Sequence, residues 1–176
     1  MTSALFTFLI CATLTCAPAV QSTSGWVKYD SDEGRFSAWF PSQPKAVTQP
    51  STTRTGAKLT THILQAADAS GSAYMVSFVD YPYTLDEKKS FDSIRDLALS
   101  RVKGTLLREY DVTIGRETVR EFIASIKSNN SDLMAEGRIY VMGSRSYMLL
   151  YVYQKSFDPE TAARNVGKFF DSFIGM

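Results

Sequence analysis

Cysteine is almost absent from this 176-residue chain: there are two, Cys11 and Cys16, both near the start. Histidine occurs once, as His62, which excludes a multi-histidine metal centre. No apolar run reaches the roughly 20 residues a helix needs to cross a bilayer. Charge of neither sign dominates, with 19 basic against 18 acidic side chains and a formal net charge of +1. That balance lacks the clustered basic surface expected of a nucleic-acid-binding protein. Glycines are isolated, so there is no phosphate-binding loop, and CxxC, GxSxG and HExxH are all missing.

The first residues form the one strongly biased segment. MTSALFTFLICATLTCAPAVQS contains no Lys, Arg, Asp or Glu. An apolar run from Ala4 to Leu14 leads to Ala17-Pro18-Ala19, the small-x-small pattern of a signal-peptidase site. Residues 1–19 are therefore expected to be a signal peptide and 20–25 a short linker, with a single domain over 26–176. A retained N-terminal membrane anchor is the alternative. Lipidation at Cys16 is disfavoured, because Thr13 and Thr15 stand where a lipobox carries Leu and a small residue. Cleavage after Ala19 leaves a mature chain without cysteine, so its stability must come from a core rather than from disulfides.

The body alternates between two periods. In Phe36 to Phe40 the residues Phe36, Ala38 and Phe40 share one side, with Trp39 on the other; Pro41 and Pro44 end the segment. KAVTQPSTTRTG reads as a polar loop or irregular edge. Lys58 to Ala66 and Ser72 to Pro82 are strand candidates joined by a turn at Asp68 to Gly71. Leu106 to Val112, Val119 to Ile126, Leu133 to Met142 and Tyr147 to Tyr153 supply four more, the last apolar on both faces and hence the expected central strand. Two stretches have helical period. Thr84 followed by Glu87 resembles a capping box opening a helix that Gly104 ends, with a stripe of Phe91, Ile94, Leu97, Ala98 and Val102. Asp158 and Pro159 open the second, whose stripe runs through Ala162, Ala163, Val166, Phe169, Phe170, Phe173 and Ile174. Gly167 is expected to allow close approach to the sheet. Short hairpins imply an antiparallel sheet of about six or seven strands, and two helices can cover it: an α+β fold, layered as an α/β/α sandwich.

Candidate chemistry is sparse. His62 reads as a structural histidine, with a catalytic or ligand role as the alternative. Asp30, Asp32 and Glu33 read as a solvated acidic turn, since the ligand spacing of a calcium loop is missing. Asn129 fits the Asn-x-Ser glycosylation pattern, with a plain hairpin turn as the stronger reading. The 9 Tyr and 11 Phe serve chiefly as core, but a sheet face could expose some of them. Arg35, Trp39, Arg138, Tyr140 and Arg145 form the candidate interaction surface. No catalytic residue, metal ligand or cofactor is assigned.

The segment EGRFSAWFPSQPK, preceded by WVKYDSD, and the closing NVGKFFDSFI resemble the two ends of PsbP-like domains and of small exported bacterial proteins. The resemblance covers Trp26 to Met176. It implies an antiparallel sheet flanked by helices and an extrinsic, non-catalytic domain attached to a membrane complex; it assigns no functional residue here. The expectation is an exported accessory or protein-interaction domain, with an unidentified partner that is envelope- or membrane-associated, no nucleic acid, and no transmembrane segment after cleavage. A small-ligand carrier with a pocket between sheet and helix is the first alternative and a hydrolase the second.

Overall fold

A computed structural model describes residues 25–53, 56–127 and 131–175. The leader residues 1–19, and Asn129, lie outside the described residues. Among the described residues ten strands and two helices occur in the order β1 (Val27–Ser31), β2 (Phe36–Phe40), β3 (Lys45–Thr52), β4 (Lys58–Ala67), β5 (Ala73–Asp80), α1 (Glu87–Val102), β6 (Gly104–Ile114), β7 (Glu117–Lys127), β8 (Asp132–Met142), β9 (Arg145–Gln154), α2 (Pro159–Asp171) and β10 (Ile174–Gly175). Seven of the strands form one antiparallel sheet in the order β3-β4-β5-β9-β8-β7-β6, and β1-β2-β10 form a small separate sheet. The fold is α+β, with a large antiparallel sheet flanked by two helices, as the periodicity implies.

α1 carries the chain from β5 to the far edge of the sheet. β6 to β9 then return by hairpins, which places β9 beside β5 at the centre. β9 is buried on one face and half-buried on the other. Tyr147, Leu149 and Tyr151 point into one core, and Met148, Leu150 and Val152 into the other. The first core is closed by α2 and the small sheet and is rich in rings. Phe169 packs on Phe40 and Tyr74 at centroid distances of 5.5 and 5.4 Å, and Phe36 stacks on Phe173 at 5.4 Å. The second is closed by α1 and is mostly aliphatic, around Phe91, Leu99, Phe122, Ile126 and Ile139. Each fully buried side chain of this size contributes about 1.5–3 kcal/mol.

Several local expectations are revised. KAVTQPST is strand β3 rather than a loop. As an edge strand it pairs on one side only, so Pro50 costs no ladder bond on its free side, and its exposed side chains carry no apolar alternation. The Phe36–Phe40 segment belongs to the small sheet, where Trp26 and Tyr29 anchor the chain start through edge contacts with Tyr74 (5.3 Å) and Phe40 (6.3 Å). α1 is capped by Asp86, which accepts from Lys89 N at 3.0 Å, and not by Thr84. Its last turn closes through Lys103 in the left-handed region (φ 52°), while Gly104 opens β6. Leu97 is exposed, and Leu99 takes its place in the core. α2 stops at Asp171 because the Ser172 hydroxyl donates to Phe169 O (2.7 Å) and accepts from Trp39 N (2.9 Å). Phe173 thus enters the core from a turn, and Ile174 starts β10. Open space surrounds the position of a Cβ on Gly167, so no close approach requires that glycine.

Candidate functional site

The loop between β1 and β2 is held in one shape. Gly34 N donates to Ser31 Oγ at 2.9 Å, and a Cβ on Gly34 would lie 2.5 Å from the Phe36 ring, so no larger residue fits. Arg35 follows in the left-handed region (φ 51°), a conformation that costs an L-residue roughly 1–2 kcal/mol. Two side chains of β9 grip this loop. Tyr147 Oη donates to Gly34 O at 2.9 Å, and Arg145 Nη1 donates to Glu33 O at 3.0 Å. Arg145 also makes a two-pronged pair with Asp80, its register partner on β5, with Nε–Oδ1 at 2.6 Å and Nη2 on Oδ2. Its guanidinium lies over the Phe78 ring at 5.0 Å. Hydrogen bonding from Arg145 holds the Asp80 carboxyl below the usual carboxylate range.

Above Arg145 lies a cleft of about 100 Å³, lined by Arg35, Asp80, Met142, Ser144, Arg145 and Tyr147. Its far wall is the β8–β9 turn, fixed by Tyr81 N on Ser144 O (2.8 Å) and Leu85 N on Gly143 O (2.9 Å). His62 is outside the lining. It stacks on Phe78, at 4.6 Å and 9°, and its Nδ1 lies 3.3 Å from Glu33 Oε1. A hydrolytic base is hard to find in the cleft, since both Asp80 oxygens are engaged by Arg145 and the carboxyl is a weakened base.

The five residues of the sequence-derived interaction surface fall in three places. Arg35 and Arg145 meet in the cleft, the first exposed and the second buried. Arg138 and Tyr140 are buried on β8. Arg138 donates to Glu121 Oε1 (2.6 Å) and Asp171 Oδ1 (3.3 Å) and covers Phe170, while Tyr140 packs on Phe173 at 4.9 Å. Trp39 stands on the outer face of the small sheet, 40% exposed. Ile174, 61% exposed, faces the same way one strand over, and Lys28 is the register partner of Trp39 on β1. In the acidic turn, Asp30 pairs with Lys28 at 2.8 Å and Asp32 O accepts from Arg35 N at 3.3 Å. Among the described residues no three His, Cys, Asp or Glu side chains converge to hold a metal ion.

No protein-family model matches the chain, and no curated protein matches it. Solved structures do. The solution structure of cyanobacterial PsbP (CyanoP) from Synechocystis superposes with a TM-score of 0.56 at 7% identity, over 92% of this chain and 98% of that one. A crystal structure of a protein from Bacteroides thetaiotaomicron gives 0.52 at 13% identity, over 88% of this chain and 49% of that one. The chain thus spans about half the length of the Bacteroides protein. The fold is a PsbP-like sandwich.

Identities this low speak for the PsbP-like backbone and for no site. Two further charged groupings in this sandwich are structural ties. On the α1 side, Arg95 and Arg120 share Asp92 and Glu109, Arg120 also grips Asp111, and its guanidinium covers Phe91 at 5.4 Å. They bind α1 to β6 and β7. On the opposite face, Tyr153 Oη donates to Glu136 Oε1 at 2.8 Å, while burial pushes the Glu136 carboxyl up. Sequence reading missed Asp80, Met142 and Ser144 as cleft residues. The signal that finds them is strand order: once β5 lies beside β9, the pairing of Asp80 with Arg145 follows from register.

Proposed function

We propose that the chain is a non-catalytic accessory domain, exported by cleavage of residues 1–19, and that it works by docking on an envelope or membrane-associated protein. The linker 20–25 and the single domain 26–176 complete this organisation. The observation that carries the reading is the contrast within β2. Ala38 and Phe40 are fully buried, whereas Trp39 between them stands exposed beside Ile174 on the outside of the small sheet. Exposed apolar side chains grouped with aromatic ones are the composition of a protein-contact surface. The filled cores beneath α1 and α2 count against a carrier, which needs a pocket of roughly 300–1,000 Å³ lined by apolar groups. The 100 Å³ cleft is smaller and mainly polar in its lining, and a hollow of about 530 Å³ is lined by the polar residues Ser131, Asp132, Gln154, Lys155 and Ser156 at the start of β8 and the end of β9, not between sheet and helix. Among the described residues no helix is long and apolar enough to cross a membrane.

The test is recovery of the native exported form by affinity capture, with N-terminal mass analysis of the recovered chain. The expected result is a chain beginning near Val20, recovered together with one protein in fixed ratio. Recovery of the intact leader on a chain that purifies alone would overturn both parts, and so would turnover of a defined substrate by the purified domain.

A further inference from the structure

We infer that the cleft between the β1–β2 loop and the β8–β9 turn is a binding site for a small carboxylate. Four observations converge on it. Arg145 is buried and immobilised, with Nε, one Nη1 hydrogen and one Nη2 hydrogen committed to Asp80 and to Glu33 O. A fourth N–H is drawn to the Tyr147 hydroxyl, which leaves one of the five over. Arg35 occupies a left-handed backbone position that a glycine would take without strain, yet its guanidinium, which lines the cleft and is attracted to the Asp80 carboxylate, makes no hydrogen bond or ion pair within 4 Å with any described residue. The strained backbone closes the turn, with Arg35 N on Asp32 O (3.3 Å) and Tyr147 Oη on Arg35 O (3.5 Å), but it secures no hydrogen bond for the side chain, and such outliers concentrate where a ligand is clamped. The Ser144 hydroxyl, also in the lining, has no hydrogen-bond partner among the described residues. The loop that carries Arg35 is anchored through Gly34 O and Glu33 O, so the niche is formed before any ligand arrives.

Charge and size select the ligand. Arg35 and Arg145 against Asp80 leave one net positive charge, which suits a monoanion; a dianion would meet the Asp80 carboxylate. The volume of about 100 Å³ is roughly three waters' share of liquid, room for a carboxylate and one or two methylenes. The planar fork of Arg35, beside the remaining N–H of Arg145, matches the planar, two-oxygen carboxylate. Met142 supplies the apolar contact for the methylenes. This inference is independent of whether the small sheet docks on a partner.

Two sources offer this chemistry: a free short-chain acid, or an acidic side chain presented by a protein. The experiment is an NMR titration at constant ionic strength, following the amides of Arg35, Ser144 and Arg145 in the folded domain. The probes are propionate, an amidated peptide carrying a single glutamate, and chloride as control. Saturable shifts are expected with propionate or the peptide, and the tighter of the two names the source. Arg35→Gln, a surface change, should weaken that binding at least about tenfold, the value of one charge-assisted hydrogen bond, without altering the remaining spectrum. Arg35→Lys should restore only part of it, because a point charge lacks the fork. Linear shifts with both probes, equal shifts with chloride, or unchanged affinity in Arg35→Gln would overturn the assignment.

Discussion

The large sheet is covered by different means on its two faces. On one, α2 and a three-stranded sheet press Phe36, Phe40, Phe169 and Phe173 onto Tyr74 of β5 and Tyr147 and Tyr151 of β9. On the other, a single helix lays Phe91 and Leu99 over small and aliphatic residues of β7 and β8, and charged ties at its rim complete the contact. The aromatic face interlocks elements remote in sequence, since β2 and β5 share one ring cluster with the consecutive β9 and α2. The aliphatic face joins neighbours, β6, β7 and β8, to the helix that precedes them. The first cover should therefore be the costlier to breach and the second the easier to open. Both named surfaces, the cleft and the Trp39–Ile174 patch, belong to the aromatic side.

The largest expected effect tests that ranking. Phe169→Ala removes a fully buried ring that touches Phe40, Tyr74 and Phe170, and should cost about 3–5 kcal/mol of unfolding free energy by urea denaturation. Leu99→Ala, at the rim of the α1 cover, should cost about 2–3 kcal/mol. Equal losses would erase the distinction between the faces. The next probe lies beneath α1, where the Phe122 ring crosses its partner Gly137 on β8 and would sit 2.2 Å from an added Cβ. Gly137→Ala should cost about 1–3 kcal/mol by overpacking. No loss would mean that the aliphatic core is loose enough to yield.

How much of this was legible in the sequence differs by element. β5, β8 and β9 announce themselves because a two-residue period, or an apolar run on both faces, survives in the residues themselves. β3 is hidden: its side chains are exposed, so nothing in Lys45–Thr52 alternates, and Pro50 argues against a strand unless its edge position is known. β10 is two residues long and exists only through its pairing with β2. The apolar stripe of α2 continues through Phe173 and Ile174, but a hydroxyl at Ser172 ends the helix first. The cleft was half legible. Arg35 and Arg145 were singled out as charged residues near aromatics, yet nothing local places them together, because Asp80 and Arg145 are 65 positions apart and meet only when β5 and β9 pair.

Two carboxylates on the aromatic face sharpen the comparison through pH. Asp80 has its folded value held below the ordinary 3.8 by the Arg145 hydrogen bonds. Its contribution is complete above the unfolded value and is lost as the pH falls through the folded one. Glu136 has its folded value raised above 4.5 by burial, so its contribution is present below that value and is lost as the pH rises through the folded one. Urea midpoints measured against pH should therefore flatten on the acid side in Asp80→Asn and on the weakly acidic to neutral side in Glu136→Gln. The opposite assignment would contradict the environments described for both groups.

The smallest expected effect concerns the α1 cover alone. Asp86→Ala should cost about 1 kcal/mol, the usual value of an N-cap, whereas Thr84→Ala should leave the urea midpoint almost unmoved. A larger loss at Thr84 would shift the start of the helix.

The claim that matters most for function is that contact is made through the outside of the small sheet. It is tested by the affinity of the captured partner for two purified double variants of equal thermal stability. One removes the small-sheet patch, Trp39→Ser with Ile174→Ser; the other removes exposed apolar groups at the opposite edge, Leu107→Ser with Tyr110→Ser on β6. Binding should be lost in the first and kept in the second. Binding kept in the first, or lost only in the second, would move the contact surface away from the small sheet and contradict the proposal.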